Sequence, residues 1–361
     1  MFLRLGATAF GGPAAHIAMM QDEVVERRKW MTREEFLDLL GAANLIPGPN
    51  STELAIHVGH RQRGWPGLLI AGVSFILPAM VIVTLFAWAY VRYGSLPQVS
   101  GILYGVKPVI IAIVLQALWA LGRTAIKTKI LAAVFVAGSL VTILGFHELL
   151  VLFLGGLVIA TPALVRQRRT VRGSGLVSLA LIVAEAGPAT FGMWWLFLFF
   201  LKVGSVLYGS GYVLLAFIRA DLVERWHWLT EAQLLGAIAV GQVTPGPVFT
   251  TATFIGYVLG GFKGSVVATV GIFLPAFVFV ALSGPLVPRI RRSPIAGAFL
   301  DGVNAAALSL MLIVTYQLAR AALVDLTTVL LAIASAAILL RFKFNSAWLV
   351  LGGAIVGWLL K

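Results

Sequence analysis

The stretch NLIPGPNSTELA, Asn44–Ala55, sets two prolines around a glycine and follows them with four polar residues. A second copy, QVTPGPVFTTAT, Gln242–Thr253, begins 198 residues later. Proline lacks a backbone donor and opposes helix in the residue before it, and glycine lets the chain turn. Each motif is therefore expected to stop one half-helix and start another, with Pro49 or Pro247 near the first turn. The new helix presents unpaired N–H groups and about half a positive charge at its start. Hydroxyl and amide side chains there make it an anion site that needs no full cation. The candidate substrate-binding residues are Asn44, Asn50, Ser51 and Thr52 in the first copy and Gln242, Thr244, Thr250 and Thr251 in the second. Pro47, Gly48, Pro49, Pro245, Gly246 and Pro247 are the expected hinges. One such motif would read as a packing kink; two equivalent copies, each followed by Thr, favour a site.

Other residues bear on the same chemistry. FGGP (Phe10–Pro13) and YGSG (Tyr208–Gly211) put glycines at equivalent places, so Gly11, Gly12, Pro13, Gly209 and Gly211 join the structural set, by close packing or by lining a path. Arg4 and Lys202 are equivalent cations, and Lys107 lies in another apolar run. Cations inside a membrane are costly and have a partner or a substrate, so all three are candidates for balancing an anion's charge. Glu53 follows the first Pro-Gly-Pro; it is expected to cap the half-helix, and carrying a coupling proton is its second reading. Glu53, His57 and His60 fall at i, i+4 and i+7, a thin metal constellation without an equivalent in the second copy, and no metal is assigned there. No HExxH, phosphate-binding Gly-rich loop or clustered catalytic set occurs, so an enzyme is not expected and neither is a cofactor. Without cysteine there is no thiol nucleophile and no disulfide.

The elements that must hold these residues follow from composition and repetition. The chain has 361 residues, 60% hydrophobic and 11% charged, with a mean hydropathy of +0.98. Runs of about 20 apolar residues cross the bilayer as helices, and lipid leaves no water for unpaired backbone groups. The fold class is an all-α polytopic membrane protein. EVVERRKWMT (Glu23–Thr32) matches DLVERWHWLT (Asp221–Thr230) at the same offset of 198 that relates the two Pro-Gly-Pro motifs. Further matches divide the chain into a first repeat at 1–165, a linker at 166–195 and a second repeat at 196–361.

Spans are expected near 1–19, 66–91, 101–121, 130–146 and 148–165, and again near 196–218, 264–287, 295–319, 326–340 and 345–360. The first Pro-Gly-Pro segment, 34–60, is read as a re-entrant hairpin, which leaves about ten crossings and inverts the second repeat. Inversion puts Arg123/Lys127/Lys129, Arg166–Arg172, Arg289–Arg292 and Arg341/Lys343 on one side, as the positive-inside rule requires. It needs 176–191 not to cross. The net charge of +13 then marks cytoplasmic loops, and no nucleic-acid partner is expected.

FGGPAAHIAMMQDEVV, GAANLIPGPNSTELAIHVGHRQRGWPG, GSGYVLLAFIRADLVERWHWLT and AIAVGQVTPGPVFTTATFIGYVLGG resemble the chromate ion transporter family in its long two-domain form. The resemblance implies a multi-pass inner-membrane protein of bacteria or archaea that exports chromate and confers resistance, with two opposed homologous domains. It maps family motifs onto Phe10, Gly11, Gly12, Pro13, Asn44, Pro47, Gly48, Pro49, Thr52 and Glu53, and onto Gly209, Gly211, Gln242, Pro245, Gly246, Pro247 and Thr250. Chromate, sulfate as a same-shaped alternative, and the lipid bilayer are the expected partners. The chain is expected as a monomer or a homodimer.

Overall fold

The computed structural model describes residues 1–9, 12–94, 96–168, 190–207, 211–291, 293–342 and 346–360. Phe10, Gly11, Gly209 and residues 176–189 of the segment 176–191 fall outside them. All regular structure among the described residues is helical. The first half contains α1 (Phe2–Thr8), α2 (Gly12–Gln21), a π-helical stretch Asp22–Arg27, α3 (Arg33–Ala43), α4 (Asn50–Tyr93), α5 (Pro97–Ala125), α6 (Lys129–Ile143) and α7 (Glu148–Arg168). The second contains α8 (Met193–Val206), a 3₁₀ turn Gly211–Val213, α9 (Leu214–Phe217), a π-helical stretch Ile218–Arg225, α10 (Glu231–Val243), a 3₁₀ turn Val248–Thr250, α11 (Thr251–Arg291), α12 (Pro294–Ala322), α13 (Leu326–Arg341) and α14 (Ser346–Leu360).

Four of these helices have described stretches long and apolar enough to cross a membrane: Asn50–Tyr93, Val99–Ala125, Val248–Ser283 and Pro294–Ala322. Shorter apolar helices include Lys129–Ile143, Met193–Val206 and Leu326–Arg341. Large apolar side chains point outward along them, among them Ile70, Leu85, Ile143, Leu330 and Trp348. Water would penalise such a surface and hydrocarbon does not. The protein is a multi-pass membrane protein.

The expected span at 1–19 is two helices, since α1 stops at Thr8 and α2 starts at Gly12. The Pro-Gly-Pro segment has the predicted form: α3 runs in, 44–49 turns, and α4 runs out. Thr32 caps α3 with Glu35 in a capping box, and Thr230 caps α10 with Gln233 in the same way. Both turns need a glycine, at Gly48 (φ 137°) and Gly246 (φ 90°).

Neither α4 nor α11 is one rod. Arg63–Gly64 and Gly260–Gly261 leave helical geometry in the same way, with the second residue of each pair at φ 59° and 63°. The arms on either side fold against each other. A side chain on Gly59 would strike Gly67 and Ala71, and one on Gly256 would strike Gly264 and Ala268. Farther along the second hairpin, the buried hydroxyls of Thr253 and Thr269 meet at 2.7 Å.

Between the halves, α7 packs on α12 and α14 on α5, while α4 lies against α11. Glycines permit the first two crossings: Gly302 meets Gly155, and Gly105 meets Gly353 and Gly357. The central turns of α5 and α12, Val109–Val114 and Ala305–Met311, are buried on every side.

Candidate functional site

The site begins where two helices stop. Ala9 ends α1 and Leu207 ends α8, both in extended backbone. The Gly246 N–H donates to Ala9 O at 3.0 Å, and the Gly48 N–H donates to Leu207 O at 2.7 Å. Each Pro-Gly-Pro tip is thus docked on the first helix of the other half by one backbone bond, and the two bonds are equivalent under the 198-residue offset. These two glycine N–H groups are spent and are not free for an anion.

His16 completes the first docking. Its Nε2 lies 3.0 Å from Ala9 O, and a carbonyl only accepts, so Nε2 carries the proton. Its Nδ1 lies 3.3 Å from Ser51 Oγ and accepts from that hydroxyl. Sequence reasoning passed over His16, because a lone His in an apolar run reads as core.

The two tips differ in what they leave over. In the second, Thr244 donates to Val240 O (2.7 Å), Thr250 to Pro247 O (2.8 Å) and Thr251 to Val248 O (2.8 Å). Those hydroxyl protons are committed. Gln242 is half-buried at the end of α10. In the first tip, Asn50 Nδ2 donates to Asn44 Oδ1 at 2.7 Å. Asn50 Oδ1, Thr52 Oγ1 and both Glu53 carboxyl oxygens are buried and bond nothing among the described residues. Thr52 and Glu53 are fully buried. No side chain caps α4; the Thr52 and Glu53 N–H groups donate to Pro49 O, which leaves those of Asn50 and Ser51 without an intrahelical acceptor. The cap expected from Glu53 does not form.

The cations are placed differently. Arg4 pairs with Glu23, and Lys202 pairs with Asp221 at 2.6 Å, again equivalent under the offset. Arg28 also bonds Glu23 at 2.8 Å and holds its carboxyl below the usual carboxylate range. Asp221 is 3% exposed at its side chain and also accepts from Arg225 (2.5 Å), which reaches Glu148 across the halves at 3.3 Å. His147, Glu148 and Asp221 stand close enough to share an ion, but Lys202 and Arg225 already supply positive charge to that cluster. Lys107 is half-buried on α5 and makes no ion pair among the described residues. Gly12 has φ 75°, and Gly211 packs on Phe249 of the second tip. Pro13 follows Gly12 in the first turn of α2.

A family model described as chromate transporter matches residues 1–160 and 194–358. The chain belongs to the chromate transporter family. The chromate transport protein of Cupriavidus metallidurans is 34% identical over 372 residues, covering 99% of this chain and 90% of that one. The probable chromate transport protein of Synechococcus elongatus is 32% identical, covering 91% and 86%. The chromate transport protein of Pseudomonas aeruginosa is 31% identical, covering 99% and 90%. No solved structure matches. The first matched block ends at 160 and the second begins at 194, and each contains one docked tip. As a family of transporters rather than enzymes, it needs no catalytic cluster; this transporter's chemistry is the making and breaking of anion contacts.

Proposed function

We propose that this protein is a secondary transporter that exports chromate across the cytoplasmic membrane and so confers resistance, with the oxyanion bound at the paired tips. The observation that carries the reading is the first tip. It is an uncapped helix start inside the protein, with a fully buried Thr52 hydroxyl that bonds nothing among the described residues. An anion there would accept from Thr52, from the first N–H groups of α4 and from the Asn50 and Ser51 side chains after small rearrangement. Gln242, Thr244, Thr250 and Thr251 of the second tip would form the opposing wall of the site. Arg4 and Lys202 already face acids, so Lys107 is the cation of the three proposed to balance the anion. One half would rock against the other about the Gly48 and Gly246 bonds, with the glycines near 11 and 209 as hinges.

About ten crossings in two inverted repeats fit this reading, with both tips re-entrant. Contacts between the halves support the inversion. Arg225 meets Glu148, Tyr104 meets Asp325 at 2.6 Å, and Lys127 meets Asp301 at 3.5 Å. Each pair joins regions that inversion puts on one side and a parallel arrangement would separate.

An inside-negative potential suffices to drive efflux. Each charge moved through 100 mV is worth about 2.3 kcal/mol, so a dianion gains about 4.6 kcal/mol. Proteoliposomes with an imposed potential and no pH gradient test this: chromate should leave the negative compartment, and absence of flux would sink potential-driven export. Sulfate is the second reading, because hydroxyl and N–H donors recognise a tetrahedral dianion by shape and charge. Full competition by sulfate at equal concentration would make the protein a general oxyanion transporter.

A further inference from the structure

We propose that Glu53 is protonated whenever the oxyanion is bound, so that a dianion and a proton occupy the first tip together. The inference rests on the tip being the anion site and adds what travels with the anion. The Glu53 carboxyl bends back to Gly48, where a Cβ would overlap its Oε1. It therefore stands at the turn itself, beside the uncapped start of α4. Both of its oxygens are buried and bond nothing among the described residues. An ionised carboxyl offers acceptors only, and a bound oxyanion also offers acceptors only. Together they would put three negative charges in one buried tip. With a proton, Glu53 becomes a donor to the anion and one of those charges is removed.

Among the described residues, the elements packed against α4 bring no cation to Glu53. On α4 itself, one turn on, stands His57. From α2 comes His16, whose Nε2 is bonded to Ala9 O and whose Nδ1 faces Ser51. From α1 comes Arg4, paired with Glu23. The charges of α3 (Arg33, Glu34, Glu35 and Asp38) lie in its half away from the turn. Glu231 of α10 is at that helix's far end and pairs with Arg219. Tyr257 and Lys263 of α11 lie near its break at Gly260–Gly261. The 3₁₀ turn Val248–Thr250 has no titratable group.

A route for the proton lies on the same helix face. His57 is buried, with its Nε2 unbonded, and His60 is half-buried against Trp65. Glu53, His57 and His60 follow at i, i+4 and i+7, about 10 Å from end to end. They lead from the turn to the break at Arg63–Gly64. The second half has no such line. Its counterpart of Glu53 is Thr251, bonded to Val248 O, and the corresponding region holds Phe254, Ile255 and Tyr257. Proton access is thus built from one side of the tips alone. The transported unit carries one net negative charge instead of two.

Calorimetric titration of the purified full chain in detergent tests this, with chromate as the probe at a pH where chromate is already the dianion. Two buffers of different ionisation enthalpy give the protons taken up per anion bound. The expected result is proton uptake that rises toward one per anion as the pH is raised far enough to ionise Glu53 in the free protein, an affinity that falls over the same range, and loss of both in Glu53→Gln. Chromate binding by the unmutated protein with neither proton uptake nor a fall in affinity at any pH of the titration would overturn the inference while leaving the anion site standing. Uptake that persists in Glu53→Gln would overturn it too. No chromate binding at all would overturn both this inference and the transport reading beneath it. The unmutated protein decides the matter even if the variant fails to fold.

Discussion

At the scale of single residues, the two tips place a Thr at the same offset but bond it differently. Thr52 and Thr250 occupy equivalent places, yet Thr250 gives its proton to Pro247 O at 2.8 Å and Thr52 gives its to nothing described. A hydrogen bond to a charged group is worth about 1.5–3 kcal/mol. Thr52→Val should therefore weaken chromate binding by about tenfold or more, and Thr250→Val by less than about twofold, measured by calorimetry. Equal losses in both variants would mean that the second tip rearranges to give its hydroxyl to the anion. Asp221→Asn makes a separate prediction. It leaves Lys202 facing no full charge, and Arg225 with Glu148 alone, in a largely buried site, which should cost about 3 kcal/mol or more, read as a lower melting temperature in detergent. The Lys202–Asp221 and Arg4–Glu23 pairs had a signal in the sequence. Both cations and both acids repeat at the same offset, so matched cation and matched acid could have been joined to each other before either was given to substrate. Glu53 had no such signal. Its bend toward Gly48 depends on space opened by a turn, and spacing along the chain does not report that.

At the scale of elements, the breaks inside α4 and α11 set the architecture. Glycine at 64 and 261 supplies the left-handed turn, and small residues at 59, 67, 256 and 264 let the arms touch. Gly59→Leu or Gly256→Leu should pry its hairpin open, costing about 3 kcal/mol or more and dispersing the protein in size-exclusion chromatography. Gly122→Leu is the comparison, since a Cβ there meets nothing within 4 Å. Equal damage from all three would show that leucine itself, and not arm contact, is the cause. The breaks fall where the sequence reading separates the Pro-Gly-Pro segments from the spans expected near 66–91 and 264–287, at the matched Gly64 and Gly261. The division of the first span into α1 and α2 was only half legible. Gly-Gly-Pro announced a break, but not that Ala9 would use its freed carbonyl to hold Gly246 from the other half. Nor does sequence periodicity announce the π-helical stretches Asp22–Arg27 and Ile218–Arg225, since an i to i+5 bond leaves no mark in an apolar pattern.

At the scale of the whole molecule, the halves hold each other through equivalent bonds: Gly48 to Leu207 and Gly246 to Ala9. Lys29 and His227, also 198 apart, share a left-handed backbone at φ 51° and 52°. The resemblance of the halves thus reaches the backbone angles of individual residues. Orientation is a separate matter, and loop charge is its sequence signal. The absence of cysteine makes it measurable, because any introduced thiol is the sole one. Glu26 and Glu224 are equivalent and exposed, and Phe146 is 50% exposed in the turn that carries Glu148 toward Arg225. Inversion requires Glu26→Cys to react with a membrane-impermeant reagent from one side of sealed vesicles and Glu224→Cys from the other. It also requires Phe146→Cys to react from the same side as Glu224→Cys. Labelling of Glu26→Cys and Glu224→Cys from one side would make the halves parallel. Lys29 and the basic loops would then scatter to both faces against the positive-inside rule. It would also leave the Arg225–Glu148 pair needing two regions on opposite faces to meet, so the vesicle result decides between an inverted transporter and a different chain path altogether.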